Sequence, residues 1–465
     1  MQGTVWGSLL CTATMDKLGQ LVYERSELTY KYKGVVEIPT LGMVYDILSV
    51  QKCSKDAVRI NAVINGFIEG KKLTLSNKKC HRIHIENKRT RNTDNCPDLK
   101  VHENKMENSL EEKYLGDLVN STGTIRKTVE ERKNKGYGIV SEILAILDEI
   151  PLGRYKHEIG LKLRQAMLLN GILYNSEVWH SVTETELRML EVVDEHLLRS
   201  LVKGQSKTPL EFLYLEAGAI PIRYLIACRR LLYHQTILQR DESELTNKVY
   251  LAQKDDPTPG DFADLVSKDF ALIGEDHDDN SIQGANRSEY KAKIKSSIKQ
   301  AALSYLKDKQ QQHSKVRHIQ YDKLQTQEYM TSAILTNEDV QLLHALRSRS
   351  TDCKSNYKQK YIHSNIKCDL CKNEDETQQH ILECKEIREA YKSDDVAKDK
   401  VNYENLFCKD LNKQKEITTL FKHLFNERER LIQKQNSQQA PSNTTVMLKL
   451  SDNLQICTVH SSLGK

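Results

Sequence analysis

The segment C-D-L-C-K-N-E-D-E-T-Q-Q-H-I-L-E-C constrains the fold of this chain more than any other. Two residues separate Cys368 from Cys371, eight separate Cys371 from His380, and three separate His380 from Cys384. A zinc ion takes four sulfur or nitrogen ligands in a tetrahedron, and a Cys-x-x-Cys turn delivers two thiolates on one side. His380 and Cys384, at i and i+4, lie on one face of a helical turn and supply the other two. Four protein ligands leave no open position, so the expectation is one structural zinc rather than a catalytic ion. The bland alternative is four unrelated residues in a small helical segment. The compact and complete spacing argues against it.

The rest of the composition is ordinary. At 465 residues the chain has room for two or three domains. Its 8 prolines and 20 glycines leave space for long helices after the first quarter. The formal charge of +5 says little about partners until its distribution is considered. The 11 cysteines are scattered apart from the Cys368–Cys371 pair, which argues against a secreted disulfide scaffold. The start, MQGTVWGSLLCTATMDKLG, lacks the basic and then apolar run of a secretory signal. No stretch approaches the ~18 apolar residues of a membrane span. The expected setting is cytoplasm or nucleus, with no membrane partner.

Residues 1–119 read as short strands and one helix. Val35-Val36-Glu37-Ile38, Met43 to Val50 and Cys80 to Glu86 have strand character. Asp56 to Ile68 has helical apolar spacing, and residues 87–109 read as a polar, basic loop. The fold class expected is therefore α+β at the N-terminus, followed by a mostly α-helical remainder. Over 120–245 the pattern predicts helices at Arg126–Ile150, Tyr155–Trp179, Thr185–Val202 and Ile222–Leu238, with a short one opened by Thr208-Pro209. Residues 246–285 read as an acidic linker with a short helix at Phe262–Ile273, and 286–350 as a basic helical segment. The ligand segment and further helices occupy 351–434, and 435–465 read as a polar, disordered tail.

Four N-terminal motifs carry a resemblance. Q-G-T-V-W-G-S-L-L-C begins at Gln2 and Gly3. I-P-T-L-G-M-V-Y-D-I-L-S-V holds Met43, Val44, Tyr45 and Asp46. K-K-L-T-L-S-N-K-K-C-H-R-I-H-I holds Lys78 and Lys79, and E-K-Y-L-G-D-L-V covers Glu112 to Val119. In order, spacing and identity they resemble the C-terminal part of a reverse transcriptase, an RNA-directed DNA polymerase, of a non-LTR (LINE-type) retrotransposon. The resemblance implies a partial polymerase palm over 1–119 and a helical thumb over 120–245. It also implies a C-terminal region ending in a Cys-Cys-His-Cys zinc knuckle, whose central spacer here is longer than in retroviral-type knuckles. In this reading Gln2 and Gly3 contact template and nucleotide. The lysine near the triphosphate is Lys79, or alternatively Lys78, and Glu112–Val119 is the hairpin that grips the primer end.

Two departures bear on activity. Polymerases clamp two Mg²⁺ between carboxylates, one from an upstream strand and two at the hairpin. The upstream aspartate would precede Gln2, and Tyr45 replaces the first hairpin aspartate. A phenol with a pKa near ~10 is neutral at physiological pH and cannot replace an anionic ligand. Asp46 is thus a remnant, read as a solvated turn carboxylate ahead of a working ligand. Mg²⁺ would be a cofactor only if activity were retained.

Two basic groups are candidate contacts for a phosphate backbone. One comprises Lys71, Lys72, Lys78, Lys79, Arg82, Lys88, Arg89 and Arg91, for which solvated loop charge is an equal alternative. The other is Arg287–Lys323, whose ten Lys or Arg against Glu289, Asp308 and Asp322 give +7. Its candidate contacts are Lys291, Lys295 and Lys299. Trp6 and Trp179 read as core residues, and His81 and His84 find no further metal ligands. The expected function is a truncated or degenerate reverse transcriptase, polymerase-inactive, that keeps zinc and binds RNA or DNA weakly with little sequence preference. The alternatives are a repurposed zinc-knuckle nucleic-acid-binding protein with the palm remnant as scaffold, and a partial gene model of an intact element.

Overall fold

A computed structural model of the chain describes residues 5–24, 29–38, 40–43, 46–85, 98–101, 103–150, 155–357, 366–390 and 403–439. The architecture is mixed and mostly helical, compatible with the expected α+β class, and its named strands all lie before residue 121. Helix α1 (Val5–Tyr23) is followed by the antiparallel pair β1 (Tyr30–Tyr32) and β2 (Val36–Ile38), then by the antiparallel pair β3 (Leu41–Met43) and β4 (Asp46–Leu48). Helix α2 (Ser54–Gly70) packs on α1, burying Leu18, Val22 and Ile60. Strands β5 (His81–Ile83), β6 (Lys100–Val101), β7 (Asn104–Lys105) and β8 (Glu107–Ser109) come next. Of these, β6 pairs with β7, and β5 runs parallel to β8.

Hairpin β9 (Glu111–Tyr114) and β10 (Asp117–Asn120) turns through Leu115 and Gly116, with φ of 48° and 93°. Positive φ at both central residues is what a tight hairpin turn matched to strand twist needs. A side chain at Gly116 would also strike Tyr174 Cε1, at 2.8 Å.

Two sequence expectations need correction here. The region 87–109, read as loop, contains β6, β7 and β8 from Lys100 onward. These strands are two or three residues long, too short for any periodicity, and they exist through their partners. The strand expected over Cys80–Glu86 is only His81–Ile83. Among the described residues the strands form separate two-stranded ladders rather than one sheet. Val35 and Leu110 are left 72% and 78% exposed, so this layer leaves apolar surface uncovered.

The helical part starts with α3 (Arg126–Glu149), which buries Val129, Gly136, Val140, Ile143 and Leu147 at spacings of three, four and seven. Gly136 lets α3 approach its neighbours closely, since a Cβ there would meet Ile172 and Val193, each at 2.8 Å. The single helix expected over Tyr155–Trp179 is instead broken. It comprises α4 (Lys156–Leu163), a wider π turn at Arg164–Leu168, α5 (Leu169–Ile172) and a 3₁₀ turn at Ser176–Val178. The π turn coincides with a buried ion pair: Arg164 Nε and Nη2 donate to the two Asp194 carboxylate oxygens, each at 2.6 Å.

Helix α6 (Glu184–Val202) starts in a capping box, Thr183 and Glu186 bonding each other's backbone N–H. Then come α7 (Leu210–Ala217) and α8 (Ile222–Leu238). Ile222 and Ile226 of α8 join the core under α3 to α6, while Tyr224, Ala227 and Leu231 join a second core. That second core is built with α9 (Leu245–Asp255), α10 (Phe262–Ile273), α11 (Asp279–Gly284) and α12 (Arg287–Gln310).

Residues 246–285 are therefore no linker. Tyr250, Ala263, Val266, Phe270, Ile273 and Ile282 are all buried in that core. Pro257 and Pro259 lie in the connection between α9 and α10, and acidic residues fall both in the connections and on the helices, including Asp264 and Asp269 of α10, which gives the stretch its linker-like composition. Two further helices, α13 (Glu328–Thr331) and α14 (Asn337–Arg347), follow.

The chain divides into two compact units. The first is Met1–Thr351 with Glu404–Lys415, and the second is Asp352–Tyr403 with Glu416–Lys465. The second contains α15 (Gln378–Glu383), α16 (Lys385–Ala390) and, from Glu416, the larger part of α17 (Leu411–Gln439). Among the described residues no helix is long and apolar enough to cross a membrane.

Deep in the first unit, Arg347 Nε and Nη2 each donate to Glu216 at 2.9 Å, and Arg347 Nη1 donates to the Leu406 carbonyl at 2.7 Å. Tyr321 also donates to Glu216. Burial alone would push the Glu216 carboxyl up, but Arg347 beside it holds it below the usual range. Removing only the cation leaves a buried, unmatched carboxylate, which costs about 3–5 kcal/mol. Arg347→Leu is expected to lower the urea midpoint accordingly, and Glu216→Leu with Arg347→Leu to recover part of the loss. Equal losses in the single and double variants would overturn this account of the pair.

Candidate metal centre

The ligand segment folds as a turn followed by a one-turn helix. Cys368 N–H donates to the Glu374 carbonyl at 2.8 Å, and Lys372 N–H donates to the Cys368 carbonyl at 3.0 Å. Lys372 takes a left-handed conformation, φ 58°, and an isolated bridge joins Lys367 to Asp375. These constraints curl Cys368 and Cys371 to one side. Thr377 caps α15 by accepting the His380 N–H at 3.0 Å, which sets His380 and Cys384 on the facing turn.

The four donor atoms lie within 4.8 Å of one another. Cys368 Sγ is 4.0 Å from Cys384 Sγ, and Cys371 Sγ is 3.4 Å from His380 Nε2. A tetrahedral ion with bonds of ~2.3 Å to sulfur and ~2.0 Å to nitrogen requires edges of about 3.5–3.8 Å. The cluster therefore meets the size condition for a metal ion. His380 Nδ1 lies 3.1 Å from Glu374 Oε2, which orients the ring and leaves Nε2 for the ion. Cys368, Cys384 and His380 are buried and Cys371 is half-buried, so the site opens on one side only.

The electrostatics suit a cation. Burial pushes the Cys384 thiol up to about 12, helped by the neighbouring sulfurs and opposed by the Ile387 N–H. Burial raises Cys368 as well. It acts in the same sense on Cys371, but N–H groups of Glu374 and Asn373 directed at its sulfur outweigh it and bring that thiol down to about 7. Without a cation, at most one of three adjacent thiols gives up its proton readily. A divalent ion reverses that by stabilising all the thiolates together.

Around the ligands, Ile381, Ile387 and Leu424 form a small core with Cys353, Cys368 and Cys384. Glu376, fully buried, accepts from Arg428 Nη2 at 2.6 Å and from the Lys354 N–H at 3.1 Å. Sequence reasoning missed the supporting pair Glu374 and Glu376. Both lie in the spacer between the ligands and look like solvated acids until their partners are known.

The other expected residues fare differently. Gln2, Gly3 and Tyr45 lie outside the described residues. Asp46 is exposed, pairs in register with Met43, and belongs to no cluster of three metal-binding groups among the described residues. Tyr114 of β9 does feel it: burial raises that phenol and the Asp46 charge raises it further. Lys78 and Lys79 are exposed on a 3₁₀ turn at Asn77–Lys79, and Arg82 is half-buried in β5. Lys291, Lys295 and Lys299 are exposed along α12.

No family model, curated protein or solved structure matches this chain. The assignment of the site therefore rests on its own geometry, which makes a direct prediction. Native mass spectrometry of the full chain should show one metal ion fewer after Cys371→Ser with Cys384→Ser than before. Undiminished metal would remove these residues from the site. Because thiols must lose protons to bind, the metal retained at neutral pH should be lost progressively as the pH is lowered, read by native mass spectrometry.

Proposed function

We propose that this chain is a zinc- and nucleic-acid-binding protein related to non-LTR retrotransposon reverse transcriptases, without polymerase activity of its own. The observation that carries the binding reading is the outer face of α12. Tyr290, Ile294, Ile298, Ala302 and Leu306 turn inward at intervals of four, so Lys291, Lys295 and Lys299 rise on the exposed side in steps of about 6 Å. Lys293 is paired with Glu275 at 2.8 Å, whereas these three have no carboxylate partner among the described residues. Burial raises the Cys228 thiol, and the charges of Lys295, Arg229 of α8 and Lys291 offset that only in part, which places the three cations near one another. A row of unpaired cations beside another helix's arginine is suited to following a phosphate backbone without reading bases.

Zinc is the ion that a buried Cys₃His set with an oriented imidazole favours, since three thiolates select a soft or borderline cation. The order of the four N-terminal motifs supports the origin in a polymerase. So does the proximity of Asp46 to Tyr114, which brings the hairpin carboxylate near the primer-grip-like hairpin. Tyr45 beside Asp46 leaves one anionic ligand where the two-metal mechanism uses two. The separate two-stranded ladders favour a second reading, in which the palm remnant serves as scaffold only.

Binding of labelled single-stranded RNA by the full chain should weaken steeply as salt rises. Replacing Lys291, Lys295 and Lys299 together with Glu should reduce the slope of log affinity against log salt by about 2, from roughly 0.7 per phosphate contact. An unchanged slope would make the row merely solvated charge. Primer extension on an RNA template with Mg²⁺ or Mn²⁺ should give no product with the unmodified chain. Extension would refute the inactive reading and leave the binding reading untouched.

A further inference from the structure

A second group of metal-binding side chains lies in the first unit, well away in sequence from the cysteine cluster. His234 of α8, His277 of the connection between α10 and α11, and Asp279 at the start of α11 present donor atoms within 4.8 Å of one another. Asp279 Oδ1 is 3.2 Å from His234 Nε2 and 2.8 Å from His277 Nε2. We propose that His234, His277 and Asp279 form a second divalent-metal site, with two imidazole nitrogens and one carboxylate oxygen as ligands and the remaining positions open to water.

Several features favour an ion over a simple hydrogen-bonded cluster. His234 is completely buried, yet neither of its ring nitrogens meets a hydrogen-bond partner in good alignment, despite the nearness of Asp279. A buried imidazole left so keeps its desolvation cost unrecovered, which coordination through Nε2 would offset.

The surrounding groups hold the ligands as outer partners in metal sites do. Lys254 Nζ donates to Asp279 Oδ2 at 2.6 Å, and the Tyr250 hydroxyl donates to the same carboxylate at 3.0 Å. The Tyr250 hydroxyl also lies 3.1 Å from Oδ1, so the carboxylate is braced on both oxygens while Oδ1 faces the two imidazoles. Ser267 Oγ lies 3.3 Å from His277 Nδ1, which leaves Nε2 for the ion. Phe270 stacks on the His277 ring at 4.7 Å and 17°, and Tyr250 packs against His234 at 4.9 Å. Each ring is therefore restrained by packing before any ion arrives.

The Lys254 charge opposes a cation, but it is already paired with Asp279 Oδ2, which leaves Oδ1 for the ion. A nitrogen-rich N₂O donor set suits Zn²⁺, Co²⁺ or Ni²⁺ better than Mg²⁺ or Ca²⁺, which prefer all-oxygen shells. Three protein ligands with open positions also differ in kind from the closed Cys₃His cluster.

The test uses the full chain in which Cys371→Ser and Cys384→Ser have emptied the first cluster. The chain is stripped with chelator, given Zn²⁺ alone, and read by native mass spectrometry. One zinc per chain is expected in this background. None is expected after a further His277→Gln, which alters a solvent-facing ligand rather than a core side chain, and circular dichroism should show its helices intact. Absence of zinc from the cysteine-substituted background would overturn the proposal, as would zinc retained undiminished after His277→Gln. Neither outcome bears on the cysteine site, which is read from the parent chain.

Discussion

Buried carboxylate–arginine pairs organise this protein, and each ties together parts of the chain that local sequence leaves unrelated. Asp194 holds Arg164 where α4 gives way to the π turn, and the Tyr214 hydroxyl of α7 donates to the same carboxylate at 2.8 Å. Glu216, two residues on, holds Arg347 of α14 across 131 residues. Taking these charges out of water costs several kcal/mol per ion, so the pairs survive only with their remaining donors and acceptors satisfied. That requirement fixes the register of the helices around α7 more sharply than apolar packing alone, since a slipped helix would strand a charge.

The second unit has a buried pair of its own, less completely satisfied, since Glu376 Oε2 and Arg428 Nε meet no hydrogen-bond partner among the described residues. Glu376 and Arg428 anchor the spacer between the candidate ligands to α17, and among the described residues the apolar core beside them has few members. Small folds commonly add a constraint to a limited core, and a four-ligand ion is one they use. The thiols illustrate the coupling. Two of them are raised by burial, so in the absence of a cation the same packing that shapes the site resists the thiolate form it needs.

The first 120 residues form the contrasting case. Their ladders have two to four residues per strand, and among the described residues they form no shared sheet. Several apolar side chains there remain in solvent, including Ile85 at 57%. Short ladders of this kind keep unpaired edges, and their stability depends on what covers those edges. Asp46, at the start of β4, is exposed and belongs to no cluster of three metal-binding groups among the described residues.

The sequence by itself determined what depends on near neighbours. The Cys368, Cys371, His380 and Cys384 spacing sets four donors on two turns. The periodic helices at Arg126, Glu184, Ile222 and Phe262 begin within a residue or two of where apolar spacing and capping residues place them. Only the tertiary structure decided what depends on partners far along the chain. The acidic stretch 246–285 became core because Tyr250, Val266 and Phe270 joined the cluster that α8 and α12 also build, although its acidic, proline-containing composition reads as a linker. Residues from Lys100 became strands because a partner was in reach. His234 and Asp279, 45 residues apart, came within 3.2 Å only once α8 and α11 had packed. Local periodicity carries no record of such meetings, because they are set by burial and charge matching between segments that no short window contains.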